Sequence, residues 1–126
     1  MKSFIASIII AVILVSGSLF FVSSIERFSE KLSVDIEEMV SALEAEDYGA
    51  AGRLVENMEE YVDREKLNLA AILDHTQLDK IENDIAELKG FVECRVKHDA
   101  IAKCRVLDVQ IRHMPKNHKV KIENIL

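Results

Sequence analysis

The chain has 126 residues, 49% of them hydrophobic and 30% charged, with one proline, four glycines and no tryptophan. This length allows one small domain without a large enclosed active-site cavity, and the scarcity of turn residues favours a few long helices over many short strands. The formal net charge of −6 argues against a nucleic-acid partner, because phosphate binding needs a concentrated positive face.

The charges are unevenly distributed along the chain. Residues 25–93 contain 19 acidic and 7 basic residues, whereas residues 94–126 contain 3 acidic and 8 basic residues. This asymmetry predicts that a basic last helix packs beside acidic ones. The alternative is that the basic end contacts anionic lipid or a wall polymer.

The segment from Phe4 to Val22 contains no charged residue. As a helix it would be about 28 Å long, close to the hydrocarbon thickness of a bilayer. Ser16-Gly17-Ser18 would suit a signal-peptide cleavage site, but the apolar run continues past it, so we favour a retained anchor. We expect an anchor at residues 1–24, a single pass through the cell membrane, and an extracytoplasmic domain at residues 25–126, because so short an N-terminal tail commonly stays in the cytoplasm.

Helical spacing of apolar residues continues beyond the anchor. The first stripe comprises Ile25, Phe28, Leu32, Ile36, Met39 and Leu43. No helix-breaking residue separates it from the anchor, so both are expected to form one rod. Asp47 is a candidate N-cap for a second helix whose stripe runs from Ala51 to Leu73. The small residues at 49–52 would let a neighbouring helix approach closely.

A third helix is predicted to begin after Asp74, with a stripe at Leu78, Ile81, Ile85, Leu88 and Val92. This stripe would leave Asp79, Glu82 and Asp84 mostly facing water. Asp99 is the expected cap of a fourth helix, which Pro115 would stop. The apolar residues Ile122, Ile125 and Leu126 would then form a short docking segment.

These elements predict an all-α protein with one N-terminal transmembrane helix followed by a small bundle of about four antiparallel helices. Residues 25–126 would form the bundle. We find no convincing internal repeat in the sequence.

The stretch "ILDHTQLDKIENDIAEL" is the part of the chain that most resembles a site, because His75 lies among several acidic residues. Helix initiation explains it better: Asp74 would be the N-cap, and Gln77 stands where its side chain can complete a capping box. A metal site needs three or four converging ligands, and only His75 and Asp79 would share a face. We therefore predict no metal, no cofactor and no catalytic residue, and leave His75 as a candidate partner contact.

Cys94 and Cys104 flank the predicted turn between the third and fourth helices. In an oxidising compartment a disulfide between them would tie these helices together. Cys104 also occupies a core position, where a free thiol would serve as a small apolar filler. Both interpretations stay open at this point.

The leading functional hypothesis is a non-enzymatic interaction or adaptor module that acts with an integral-membrane protein at the cell envelope. Its candidate contacts are Glu56, Glu59, Glu60 and Asp63, or the basic end of the chain. The alternative is a bundle that binds or senses a small ligand between its helices. The first stripe could also pair with its copy in a second chain, which would give a homo-oligomer.

The chain resembles domain-of-unknown-function family 4363 over nearly its whole length. The matching segments are the N-terminal anchor, "LEAEDYGAAGRLVENMEEYV", "LDHTQLDKIENDIAELKGFV" and the terminal "IRHMPKNHKVKIENIL". Where the family tends to carry a tryptophan after the acidic turn, this chain has Tyr48. The resemblance implies a small membrane-anchored helical protein of Gram-positive spore-forming bacteria, with a membrane protein as its partner. It implies no catalytic motif.

Overall fold

The chain folds into four helices joined by short turns. The computed structural model describes residues 1–71 and 73–125, without the side chains of Phe21 and residues 115–125. The helices are α1 (Lys2–Glu44), α2 (Tyr48–Ala70), α3 (His75–Glu93) and α4 (Lys97–Ile125). The predicted all-α class is confirmed for the described residues, which contain no strand. The expected docking residues Ile122 and Ile125 have undescribed side chains, and Leu126 lies outside the described residues.

Helix α1 is one continuous rod of 43 residues, as the lack of a breaker predicted. At ~1.5 Å per residue it is about 64 Å long. Its first part is exposed, with Phe4 at 70% and Phe20 at 63% of their maximal accessible surface. Burial begins at Ile25 (1%) and continues along the predicted stripe through Leu43 (0%). Only the second part of α1 therefore belongs to the packed core.

The four helices form a bundle in which each contacts two others. Helix α1 packs against α2 and α4, and α3 packs against the same two helices. The core between them is apolar and follows the predicted stripes. Its largest fully buried side chains are Ile25, Phe28, Leu32, Met39, Leu43, Met58, Leu69, Leu78, Ile85, Leu88, Leu107 and Ile111. Burial of these side chains stabilises the bundle through the hydrophobic effect.

The turns that follow α1 and α3 have the same local structure. Each contains a non-glycine residue with positive φ, Glu46 (57°) in the first and Arg95 (57°) in the second. The amide of Asp47 donates to the carbonyl of Ala42, and the amide of Val96 donates to that of Phe91. This is the Schellman arrangement, which satisfies carbonyls at a helix end.

The two turns also contact each other reciprocally. Lys97 Nζ lies 3.7 Å from Glu46 Oε1, and the Arg95 guanidinium lies 5.6 Å from the ring centre of Tyr48. Glu46 and Arg95 hold equivalent positions in the two turns, and Tyr48 and Lys97 are the first residues of the helices that follow. The turn between α1 and α2 and the turn between α3 and α4 thus share one backbone structure, which the sequence analysis did not predict.

Helix caps were predicted well at α2 and α3 and wrongly at α4. Asp47 accepts a hydrogen bond from the amide of Ala50 (3.1 Å), and Asp74 accepts one from Thr76 (3.3 Å). Gln77 makes no reciprocal side-chain bond to Asp74 among the described contacts. Helix α4 begins at Lys97, so Asp99 lies in its first turn instead of capping it. The preceding tight turn starts the helix early, and the Asp99 carboxylate then lies near the positive end of the helix dipole.

The prediction that Pro115 stops the fourth helix is wrong, because α4 continues to Ile125. A proline inside a helix has no amide hydrogen, so the carbonyl four residues earlier loses its usual donor. That carbonyl belongs to Ile111, and the Ser29 hydroxyl of α1 donates a hydrogen bond to it at 3.0 Å. Both residues are buried. A side chain from a neighbouring helix therefore replaces the bond that the proline removes.

Candidate functional site

Three of the four predicted acidic contact residues, Glu59, Glu60 and Asp63, line an open cleft between α2 and α3. The cleft has a volume of about 360 Å³. Its lining residues are Glu59, Glu60, Val62, Asp63, Glu82 and Ile85. We refer to this feature as the acidic cleft.

The residues of the cleft come from the borders of two core stripes. On α2, Glu59, Glu60 and Asp63 flank the buried residues Met58 and Val62. A residue next to a buried stripe on a helix lies at the edge of the packed face, where it can reach the neighbouring helix. The cleft therefore has an apolar floor and carboxylates along its rim.

Two ion pairs cross from one helix to the other beside this cleft. Lys89 Nζ of α3 lies 2.9 Å from Glu59 Oε2 of α2, and Lys66 Nζ of α2 lies 3.1 Å from Glu82 Oε1 of α3. Hydrogen bonding to Glu59 raises the pKa of Lys89, and hydrogen bonding to Glu82 raises the pKa of Lys66. Both lysines therefore stay charged, and each neutralises one carboxylate of the rim.

Glu60 and Asp63 are the carboxylates left without a lysine. Both are exposed, and neither forms an ion pair within the described part of the chain. Glu56 is also exposed, and its charge helps to raise the pKa of Lys89. The structure thus brings Glu59, Glu60 and Asp63 together and places Glu56 within electrostatic reach. A negative surface of this kind is complementary to a cationic partner.

His75 does not line the acidic cleft. It is the first residue of α3 and is exposed, directly after the capping residue Asp74. No group of three or more histidine, cysteine, aspartate or glutamate side chains suited to a metal ion occurs among the described residues. The other described histidines, His98 and His113, are exposed on α4. His118 lies where side chains are not described.

The prediction that Asp84 faces water is wrong. Asp84 is only 8% exposed, and its Oδ1 lies 3.3 Å from Lys103 Nζ of α4. Its Oδ2 is buried without a hydrogen-bond partner among the described atoms. Asp84 is three residues after Ile81 and four before Leu88, which places it on the buried stripe. That spacing was the signal available in the sequence.

Lys103 also contacts Glu87, with its Nζ 2.6 Å from Oε2. The hydrogen bond to Glu87 is the largest influence on Lys103 and raises its pKa, against a lowering effect of desolvation. The bond to Asp84 raises it further. This cluster of three residues joins α3 to α4, and the sequence analysis missed it because it depends on contacts across helices.

The two cysteines are free thiols in different environments. Cys94 is exposed, whereas Cys104 is buried in the core. Burial raises the pKa of the Cys104 thiol to about 12. Cys104 thus occupies the core position that its spacing predicted, as a small apolar filler.

The exposed first part of α1 has the length and composition of a membrane span. An 18-residue window has a mean hydropathy of 2.7, with none of it buried against the rest of the chain. A signal sequence near the N-terminus has the same properties. The chain therefore has a hydrophobic N-terminal segment with the length and composition that membrane spans and signal sequences share.

Comparison with known proteins identifies a family. No curated protein and no solved structure matches the chain. A family model described as "Domain of unknown function (DUF4363)" matches residues 19–125. This match covers the bundle, the turns and the acidic cleft. The chain therefore belongs to the family defined by this domain of unknown function, DUF4363.

Proposed function

We propose that the protein is a non-enzymatic adaptor, anchored in the cell membrane by the first part of α1, whose acidic cleft binds a cationic segment of an integral-membrane protein. The observation that carries this proposal is the cleft itself. Glu60 and Asp63 stand unpaired at its rim, beside an apolar floor that includes Val62 and Ile85. An apolar floor with a charged rim is the usual anatomy of a protein interface.

The chemistry of the cleft favours binding over catalysis. Its carboxylates are either paired with lysines or exposed to solvent. Groups that transfer protons usually sit in desolvated sites that shift their pKa towards the working pH. A partner with lysine or arginine residues on a short loop would neutralise Glu60 and Asp63 and cover the floor.

The anchored arrangement extends the proposal to the whole chain. Phe4 and Phe20 mark the two ends of an exposed apolar stretch on α1 that is long enough to cross a bilayer. We place the bundle outside the cell and its neighbouring helices antiparallel. The cross-helix pairs support the antiparallel order, since Glu59 pairs with Lys89 while the later Lys66 pairs with the earlier Glu82.

Crosslinking in cells tests the adaptor role. The full chain is crosslinked, captured from solubilised membranes, and its attached proteins are identified. The variant with Glu60→Gln and Asp63→Asn is compared with a control carrying Glu38→Gln and Glu44→Gln, exposed acids of α1. We expect one near-stoichiometric membrane protein that is lost in the cleft variant and retained in the control. Self-crosslinks alone, or equal capture by both variants, would refute the proposed site.

The exposed thiol of Cys94 tests the orientation separately. A maleimide that cannot cross membranes should label intact cells at Cys94, and a Cys94→Ser variant should not be labelled, because Cys104 is buried. Labelling that appears only after lysis would place the bundle in the cytoplasm. Recovery of the chain in the soluble fraction would refute the anchor.

A further inference from the structure

A second cleft lies where α1 passes from its exposed apolar part into the bundle. Its volume is about 540 Å³. Its lining residues are Phe20, Ser24, Arg27, Tyr61, Glu65, Asn68 and Leu69. We refer to it as the basal cleft.

The position of the basal cleft places it at a membrane surface if α1 is an anchor. Phe20 lies at the end of the exposed apolar stretch, and the first core residue, Ile25, follows within two turns. Leu67, close to the cleft on α2, is 87% exposed. An exposed leucine beside an apolar span is favoured at the boundary between headgroups and acyl chains.

The polar groups of the basal cleft carry one positive and one negative charge. Arg27 donates a hydrogen bond from Nη2 to Ser24 Oγ at 3.4 Å. Neither Arg27 nor Glu65 forms an ion pair within the described part of the chain. Both line the same cleft as Tyr61. The pKa of the Tyr61 phenol is raised, first by burial and next by the charge of Glu65, against a lowering effect of Arg27. The cleft thus contains a cation and an anion that form no ion pair within the described part of the chain, together with one aromatic ring.

Tyr61 is held in place by its neighbours on α1. Its ring stacks on Phe28 with 5.6 Å between the centroids, and Lys31 Nζ lies 5.7 Å from its centre. Lys31 is itself held by Asp35, with Nζ 2.9 Å from Oδ2. Tyrosine is enriched at membrane interfaces because its ring is apolar and its hydroxyl is polar. This side of the cleft is therefore ordered before any ligand arrives.

We propose that the basal cleft binds the headgroup of a membrane phospholipid that carries both a phosphate and a primary amine. Arg27 would bind the phosphate, and Glu65 would bind the ammonium group. The Ser24 hydroxyl donates to the Phe20 carbonyl at 3.0 Å and accepts from Arg27, so its role is to orient the guanidinium. A guanidinium suits phosphate because it donates two parallel hydrogen bonds. A headgroup with phosphate alone would bring a negative charge to Glu65 without compensation. Phe20 and Leu69 would contact the upper part of the acyl chains.

This inference rests on the membrane anchoring in the proposed function. Identifying the lipids that stay bound to the protein tests the inference. The full chain is placed in nanodiscs that contain phosphatidylcholine, phosphatidylethanolamine and phosphatidylglycerol in equal amounts. Lipids that stay bound are identified by native mass spectrometry. We expect phosphatidylethanolamine to be enriched over the bulk mixture. Retention that follows the bulk composition would overturn the proposal.

Variants of Arg27 and Glu65 test which part of the headgroup each of the two charged residues binds. Arg27→Gln should reduce retention of the amine-bearing lipid roughly tenfold, which corresponds to about 1.4 kcal/mol. Glu65→Gln should abolish the preference over phosphatidylglycerol, and Glu65→Lys should reverse it. This reversal is a gain of binding that misfolding cannot produce. The control variants Arg53→Gln and Glu38→Gln change exposed residues outside the cleft and should leave the pattern unchanged.

The two proposals fail in different ways. A chain found in the soluble fraction of cells would remove the anchor and the lipid site together. A chain that is in the membrane, captures its partner and retains lipids without preference would overturn only the lipid site. Unchanged selectivity in both Glu65 variants would also overturn it. A protein bound in place of lipid at this cleft would reassign the cleft to the partner.

Discussion

Replacement of Ser29 by alanine tests how α4 continues past Pro115. The serine hydroxyl is the donor that satisfies the Ile111 carbonyl, at 3.0 Å, and both residues are buried. A buried acceptor left without a partner costs about 1–3 kcal/mol. Alanine returns up to about 0.5 kcal/mol through its higher helix propensity. We therefore expect Ser29→Ala to lower the free energy of unfolding by about 1–2 kcal/mol.

The decisive comparison is a double-mutant cycle with Pro115→Ala. An alanine at this position has an amide hydrogen that can donate to the Ile111 carbonyl in the regular helical pattern. Ser29→Ala should then cost less than about 0.5 kcal/mol, so the coupling between the two sites should be about 0.5–2 kcal/mol. Pro115→Ala alone should stabilise the chain, by up to about 3 kcal/mol.

Denaturation by guanidinium, followed by far-UV circular dichroism of the full chain in detergent micelles, gives the four free energies. Ser33→Ala is the matched control, since Ser33 is half-buried one turn further along α1. Its effect should be the same with and without the Pro115→Ala substitution. Equal costs of Ser29→Ala in the wild-type and Pro115→Ala backgrounds would show that the hydroxyl does not substitute for the missing helical bond.

Four further predictions concern the Lys103 cluster, Gly52 and the two thiols. Lys103→Met should lower the free energy of unfolding by about 2–4 kcal/mol, because it leaves buried Asp84 without its cation. The double variant Asp84→Leu with Lys103→Met should have nearly the wild-type free energy of unfolding in the same denaturation assay. Because the folded protein raises the pKa of Lys103, this lysine stabilises the wild type fully below pH 10.5. At higher pH the wild type should lose this part of its free energy of unfolding, and Lys103→Met should not. Parallel plots of unfolding free energy against pH for the two proteins would contradict this prediction. Gly52→Ala should raise the free energy of unfolding by up to about 1 kcal/mol, since an added Cβ would meet no atom within 4 Å. A free energy of unfolding below that of the wild type would mean that a close contact exists at this position. Maleimide should modify Cys94 rapidly and Cys104 only after unfolding, because Cys104 is buried with a pKa of about 12; a protein that reacts at neither thiol until it is reduced would contain the disulfide.

The helices could be predicted because their signals are local. A stripe such as Ile81, Ile85 and Leu88 needs only the spacing of one helix, and the caps Asp47 and Asp74 act within three residues. The location of Glu59, Glu60 and Asp63 together on one acidic helix was predictable from the sequence, whereas the cleft that they line with α3 was not. The ion pairing of these carboxylates was not predictable either, because it depends on which lysine of another helix lies opposite.

Sequence alone determined the all-helical class, the four apolar stripes and the apolar N-terminal segment, since each follows from residue type and short spacing. Tertiary structure decided which polar groups are paired. It placed Lys103 against Asp84 and the Ser29 hydroxyl on the carbonyl that Pro115 leaves free. The physical reason is that the rotation and register of one helix against another depend on the whole packed core.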